Sequence, residues 1–104
     1  MPQFKVYLPT QAVGYKEALH TVQKRFCEWY GGFTQWRGRG GYENHNGEIV
    51  TEPVTVVMAD YNKVEGHENI VFKNEINPLG KSLRENLPEE ESIMLVVDGE
   101  KYSY

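Results

Sequence analysis

Cysteine is almost missing from this sequence: Cys27 is the only one in 104 residues. A lone thiol excludes an intrachain disulfide framework and fits a reducing compartment. Long apolar runs are missing as well. No stretch approaches the ~20 residues that a membrane-spanning helix needs. The opening residues, MPQFKVYLPT, lack the apolar segment of a secretory signal. The expectation is a chain outside the membrane, in the cytoplasm of a cell or of an infected host cell. Positive charge is in short supply, with 11 Lys and Arg against 15 Asp and Glu and a net charge of −4. That balance speaks against general nucleic-acid binding, which rests on a basic excess. Nucleotide signatures are lacking too. The glycine-rich stretch 34–42 has neither the spacing nor the following helix of a phosphate-binding loop or a dinucleotide fingerprint. His20, His45 and His67 stand at no metal-ligand spacing and read as surface histidines. Neither a metal nor a cofactor is expected.

Aromatic residues, by contrast, make up 12% of the chain, with seven Tyr and two Trp, and apolar residues make up 39%. Such a chain packs a core rather than staying disordered. Its length matches one domain.

Gln3–Leu8 alternates, with Phe4, Val6 and Leu8 on one face and Lys5 and Tyr7 on the other, the pattern of a half-buried strand ended by Pro9. From Tyr15 to Tyr30, apolar residues recur every three or four positions, which reads as a helix, and Gly31-Gly32 stops it. Residues 33–44 and 48–61 read as the two strands of a hairpin turning at Asn46-Gly47, a dipeptide suited to a type I′ turn. Pro53 belongs at an edge or bulge. Residues 62–76 carry the least signal: a long loop, or a helix beginning near Glu68. Asn77-Pro78 reads as a helix start, with Asn as cap, and Leu79, Leu83 and Leu87 follow at helical spacing. Residues 92–97 form a last strand. Asp98-Gly99 signals a second tight turn, after which residues 102–104 fold back as a short extra strand. The order is strand, helix, strand, strand, helix, strand. The fold expected is therefore α+β and ferredoxin-like (βαββαβ), a four-stranded antiparallel sheet with two helices on one face and the other face open.

Thr34 to Tyr42 is the most distinctive stretch. Trp36, Gly38, Gly40 and Tyr42 share one face, and Gln35, Arg37 and Arg39 the other. Small glycines suit the helix-covered side, so a regular strand sends Arg37 and Arg39 to the open face, unless a bulge inverts the register. Two arginines on one strand face can grip a phosphate or carboxylate. A bulge could bring Trp36 or Tyr42 round to stack on a ligand. Tyr7, Val57 and either Met94 and Val96 or their neighbours complete the expected open face. The final strand, Ile93–Val97, is apolar on both faces, so the open side calls for cover, and a homodimer is the reading. Cys27 reads as a small buried hydrophobe beside Phe26, and Glu89–Glu91 as a solvated loop.

An aromatic followed by Gly31-Gly32, a strand containing Thr34, a glycine and aromatic pair, Asn46-Gly47-Glu48 and Glu52-Pro53-Val54 together give a layout that resembles small uncharacterised phage and prophage proteins of ferredoxin-like design. The resemblance implies a viral or mobile-element origin and transfers no active-site residue. With no catalytic motif in view, the leading expectation is a non-enzymatic binding protein, in a phage setting an inhibitor that captures a host defence component. The alternative is a small-ligand binder holding an anionic metabolite or nucleotide at Arg37 and Arg39. The third reading is a small dimeric ferredoxin-like enzyme that uses the open face as its cleft. The candidate contact residues are Arg37, Arg39, Trp36, Tyr42 and Tyr7.

Overall fold

The computed structural model describes residues 2–61 and 68–104. Its strands are β1 (Gln3–Pro9), β2 (Thr34–Glu43), β3 (Ile49–Asp60), β4 (Met94–Val97) and β5 (Glu100–Ser103). Helix α1 spans Tyr15–Tyr30, and a second helical segment runs through α2 (Glu68–Val71), a π-helical turn (Phe72–Ile76) and α3 (Asn77–Asn86). All strands pair antiparallel in one sheet of order β2-β3-β1-β4-β5. The four strands expected from sequence are present, and β5 makes five. It follows a tight turn in which Asp98 (φ 50°) and Gly99 (φ 82°) are both left-handed, the type I′ signature.

The β2–β3 connection is built differently from the expected type I′ turn. The Asn44 N–H donates to the Glu48 carbonyl, which closes a three-residue loop with only Gly47 left-handed (φ 78°). The Asn44 side-chain oxygen accepts from the backbone N–H groups of Asn46 and Glu48. This cap satisfies the tip from within and removes the need for a second left-handed residue.

The core lies between the sheet and the helices. Phe4, Val6, Leu8, Val57 and Leu95 come from the sheet, and Val22, Phe26, Leu79 and Leu83 from the helices, all essentially without exposure. Gly14 allows α1 to start where it does. It is left-handed, and a Cβ there would lie 1.8 Å from the Asn86 carbonyl oxygen. Cys27 does not join the core as expected. Phe26 holds the inward position, and its neighbour, turned about 100° round the helix, is exposed. Asn77 is not a cap, because helix already precedes it. Its N–H donates five residues back, to Phe72. The widened turn comes immediately before Pro78, which has no N–H to offer the ladder.

Cross-strand partners share a face of the sheet. Phe4 lies opposite Ala59, Val6 opposite Val57 and Leu8 opposite Thr55, so Thr55, Val57 and Ala59 face the helices. Gln35 pairs with Val57 and Arg37 with Thr55. Gln35, Arg37 and Arg39 therefore lie on the helix side, and the Gln23 amide of α1 donates to Gln35. The expected orientation of β2 is reversed, and Val57 leaves the open face. The register is continuous, without a bulge. The glycines serve Val54 rather than a helix: its methyls lie 3.4 Å and 3.9 Å from where a Cβ would stand on Gly40 and Gly38.

Pro53 sits where β3 has outrun β1, whose last pair is Pro9 with Val54. Its carbonyl accepts from Thr10, and that position satisfies the edge rule. The other end of the sheet is tied by Arg84. Its guanidinium donates to the carbonyls of Leu87, Glu90, Glu91 and Tyr104. Tyr104 also exchanges two backbone hydrogen bonds with Ile93.

Candidate functional site

Three segments distant in sequence meet at the pocket end of the sheet. Helix α1 delivers Tyr30 in its last turn, just before the left-handed Gly31 (φ 84°) ends the helix. Strand β3 delivers Tyr61 one residue past its end, with its N–H on the Pro2 carbonyl. The π-helical turn delivers Glu75. The Tyr30 ring packs on Phe26 at 5.6 Å, on Tyr61 at 6.1 Å and on Phe4 at 6.3 Å between centroids. Aromatic packing thus fixes the ring from several sides and aims its hydroxyl.

That hydroxyl is buried and finds no hydrogen-bond partner of good geometry among the described residues. The Glu75 carboxyl nevertheless lies close enough for the two groups to shift each other's proton affinity. Burial pushes Tyr30 well above the usual phenol range, and the neighbouring Glu75 raises it further. Burial also holds Glu75 above the usual carboxylate range, and the Tyr30 hydroxyl draws it partly back. Buried polar groups are normally paired. A buried hydroxyl left short of a partner, beside a carboxyl with a displaced pKa, marks a functional-site candidate. A π-helical turn at the same place fits that pattern.

An open pocket of 260 Å³ lies next to Tyr30, walled by residues 30–34 on one side and 58–60 on the other. A carboxyl whose proton affinity is raised by burial is a candidate for exchanging a proton, and a cation brought against it favours the charged form. Among the described residues, no group of three His, Cys, Asp or Glu side chains could hold a metal ion, and no helix is long and apolar enough to cross a membrane.

The residues singled out from sequence lie elsewhere. Arg37 and Arg39 are exposed, and Arg39 donates to the Thr51 hydroxyl at 2.9 Å. Trp36 and Tyr42 are on the open face of β2, 43% and 56% exposed, and Tyr7 shares that face from β1. Only Thr34, at the start of their strand, reaches the pocket. His20 and His45 are exposed, as expected, while His67 falls outside the described residues. Sequence reasoning missed Tyr30 and Glu75 as a pair. One signal was there: Glu75 interrupts an apolar helical stripe of Val71, Phe72, Ile76 and Leu79, where a charge has no place in a plain core helix.

No protein-family model matches the chain, and no curated protein matches it. Solved structures do. A phage SAM lyase in complex with S-methyl-5′-thioadenosine matches with a TM-score of 0.63 at 20% identity, over 99% of this chain and 88% of that one. The apo phage SAM lyase matches with a TM-score of 0.62 at 20% identity, over 99% and 87%. These likenesses bear out the resemblance to phage proteins and a shared α+β fold. They also correct the leading functional expectation. A non-enzymatic capture protein was inferred from the lack of a catalytic motif, yet the structures that share this fold over nearly the whole chain are of an enzyme.

Proposed function

We propose that this chain is an enzyme that cleaves S-adenosylmethionine, releasing S-methyl-5′-thioadenosine, on the ferredoxin-like frame read from its sequence. The observation that carries the reading is the buried Tyr30 hydroxyl, interacting with the partly buried Glu75 carboxyl, on a residue that walls an open pocket, in a fold that extends over nearly all of a phage SAM lyase. The substrate is a sulfonium, so its leaving group is already activated. Breaking the bond between sulfur and the methionine γ-carbon expels a neutral thioether. A lyase adds no water. The electron pair that replaces sulfur comes from the substrate itself, either from its carboxylate oxygen closing a ring or from a C–H bond forming an alkene.

Such a reaction asks little covalent chemistry of the protein. It asks for a held conformer, exclusion of water and control of charge. Glu75 meets the third need. Its partly desolvated carboxyl, in the anionic form, attracts a cationic substrate, and the interaction is stronger there than in water. Tyr30 orients that carboxyl with its otherwise unpartnered hydroxyl. Tyr61 and the aromatic residues around it supply an apolar wall for the site.

The test is direct. Purified protein incubated with S-adenosylmethionine should yield S-methyl-5′-thioadenosine by liquid chromatography and mass spectrometry. Glu75→Gln should lower kcat/KM by about 10²-fold, the low end for a group that acts on charge or protons in the transition state. Full recovery of S-adenosylmethionine after prolonged incubation at micromolar enzyme would overturn the reading.

A further inference from the structure

The last strand of the sheet reaches over to the segment that carries Glu75. Tyr102 lies opposite Leu95 in the β4–β5 pairing, and Leu95 is fully buried under the helices. Tyr102 therefore faces the helix layer, and Tyr104, two residues on, points to the same side. The two rings meet the second helical segment at two places. The Tyr102 ring lies 5.6 Å from that of Phe72, the first residue of the π-helical turn. The Tyr104 ring lies on Gly80 of α3, where a Cβ would run into it. Glu75 stands between these two points in the chain.

The π-helical turn makes the double contact possible. In a plain α-helix, residues 72 and 80 would point about 80° away from each other. The turn closes with the Asn77 N–H on the Phe72 carbonyl, and its one extra residue brings that difference down to about 20°. Phe72 and Gly80 thus come onto one stripe of the segment, and Arg84, four residues after Gly80, continues it. Arg84 anchors the far end by donating to the Tyr104 carbonyl at 3.1 Å. Tyr104 is also tied to Ile93 by two backbone hydrogen bonds. Fixed there, the strand meets the start of the turn with Tyr102. The turn could return to ordinary helix only by rotating the residues before it about 100° round the axis. That rotation would carry Phe72 off β5 and shift Glu75 with it. Phe72 is 38% exposed, so the core alone does not hold its ring.

We propose that Tyr102 and Tyr104 are positioning residues for Glu75: the terminal strand grips the helical segment on both sides of the π-helical turn and sets how the carboxyl is presented to Tyr30. The use made of that carboxyl rests on the reaction proposed above; the grip does not. Among the described residues, the titratable groups around the turn are Tyr30, Tyr61, Tyr102 and Glu100. Tyr61 lies within electrostatic reach of both Tyr30 and Tyr102, and the Tyr102 hydroxyl donates to Glu100 at 3.1 Å. Lys73, on the turn itself, is exposed.

The experiment follows the Glu75 carboxyl of the full chain by carbon-13 NMR through a pH titration, its signal assigned by its loss in Glu75→Gln. The parent midpoint should lie above the ordinary 4.5. Tyr102→Ala and Phe72→Ala each remove one ring of the contact, and each should abolish at least half of that elevation. Gly80→Ala favours helix by propensity but drives the Tyr104 ring off α3, and should lower the midpoint in the same direction. Tyr102→Phe keeps the ring and loses the bond to Glu100, and its midpoint should match the parent's. So should that of Lys101→Ala, an exposed neighbour on the other face of β5. Where the parent turns over S-adenosylmethionine, Tyr102→Ala should lower kcat roughly tenfold and Tyr102→Phe by less than about twofold. A parent midpoint at the ordinary value would overturn the proposal. So would a midpoint that survives both Tyr102→Ala and Phe72→Ala, or one that Tyr102→Phe lowers as far as Tyr102→Ala does, since the ring would then not be what holds the turn. Should Tyr102→Ala fail to fold, Phe72→Ala decides, because it removes the same contact at a more exposed position. A parent that leaves S-adenosylmethionine intact would remove the proposed reaction, and the titration would still decide the grip.

Discussion

Val56 and Val57 are neighbours in β3 and point in opposite directions. Val57 faces the helix layer and is fully buried; Val56 faces the open side and is still only 4% exposed. The two reach low exposure by different means. On the covered side, α1 and α3 seal the strands with Val22, Phe26, Leu79 and Leu83. On the open side, Val56's cross-strand neighbours in the same row are the large side chains of Tyr7 and Trp36. A residue walled in laterally by large side chains can be hidden from water while the surface above it stays apolar. The comparison teaches that burial of single residues does not show that a face is finished.

The widest difference between the faces should come from Phe4→Ala. Its ring meets Phe26 edge-on at 5.0 Å and Tyr30 at 6.3 Å. Truncating a fully buried aromatic costs about 3–5 kcal/mol, which in a domain this small is a large share of the total. Urea denaturation should show the midpoint collapse. A loss under about 1.5 kcal/mol would mean that the covered face is not the main core.

A sharper comparison uses the two valines. Val57→Ala should cost about 2–3 kcal/mol, the transfer of two methyl groups plus a cavity that the helices cannot collapse into. Val56→Ala should cost about 1 kcal/mol in dilute protein, because Tyr7 and Trp36 can settle into the gap. Equal costs in the same denaturation would erase the distinction between the faces.

Most of the fold was legible because its patterns have one buried side. The alternation of Phe4, Val6 and Leu8 and the helical stripe from Tyr15 to Tyr30 could be read in only one way. Strand β2 offered no such anchor. Its side chains are exposed on both faces, and a strand without a buried side does not state its orientation. The glycines were assigned to the helices when the residue they make room for is Val54, a partner in the sheet. The turn at Gly47 was found in the right place with the wrong geometry, since a side-chain cap from Asn44 is invisible to a rule based on two residues. The site was less legible still. Tyr30, Tyr61 and Glu75 come from three segments, and only the tertiary fold brings their chemistry together. An acid within an apolar helical stripe was the one mark they left.

Glu75 gives the smallest expected effect on stability and the closest link to chemistry. Folding takes its carboxyl partly out of water, which disfavours the charged form and raises its pKa above the ordinary 4.5. Between the unfolded value and the raised folded one, the native chain holds this proton more tightly than the unfolded chain does. The stability tied to the group is therefore full below the unfolded value and is lost as pH rises through the folded value. Glu75→Gln removes the titration while keeping size and hydrogen-bonding capacity toward Tyr30. Parent and variant should melt at nearly the same temperature near pH 4. The variant should melt higher, by a degree or a few, at pH 7 to 8, a range on the order of what a fraction of a kcal/mol produces in a chain of this length. Glu90, whose carboxyl is raised by burial and by Glu52, is common to both proteins and drops out of the difference. A variant that melts more stably at neutral pH but has lost turnover of S-adenosylmethionine would show that the carboxyl is kept at a cost to the fold because the reaction uses it. A melting difference that stays constant from pH 4 to pH 8 would mean that Glu75 is solvated and carries no such role.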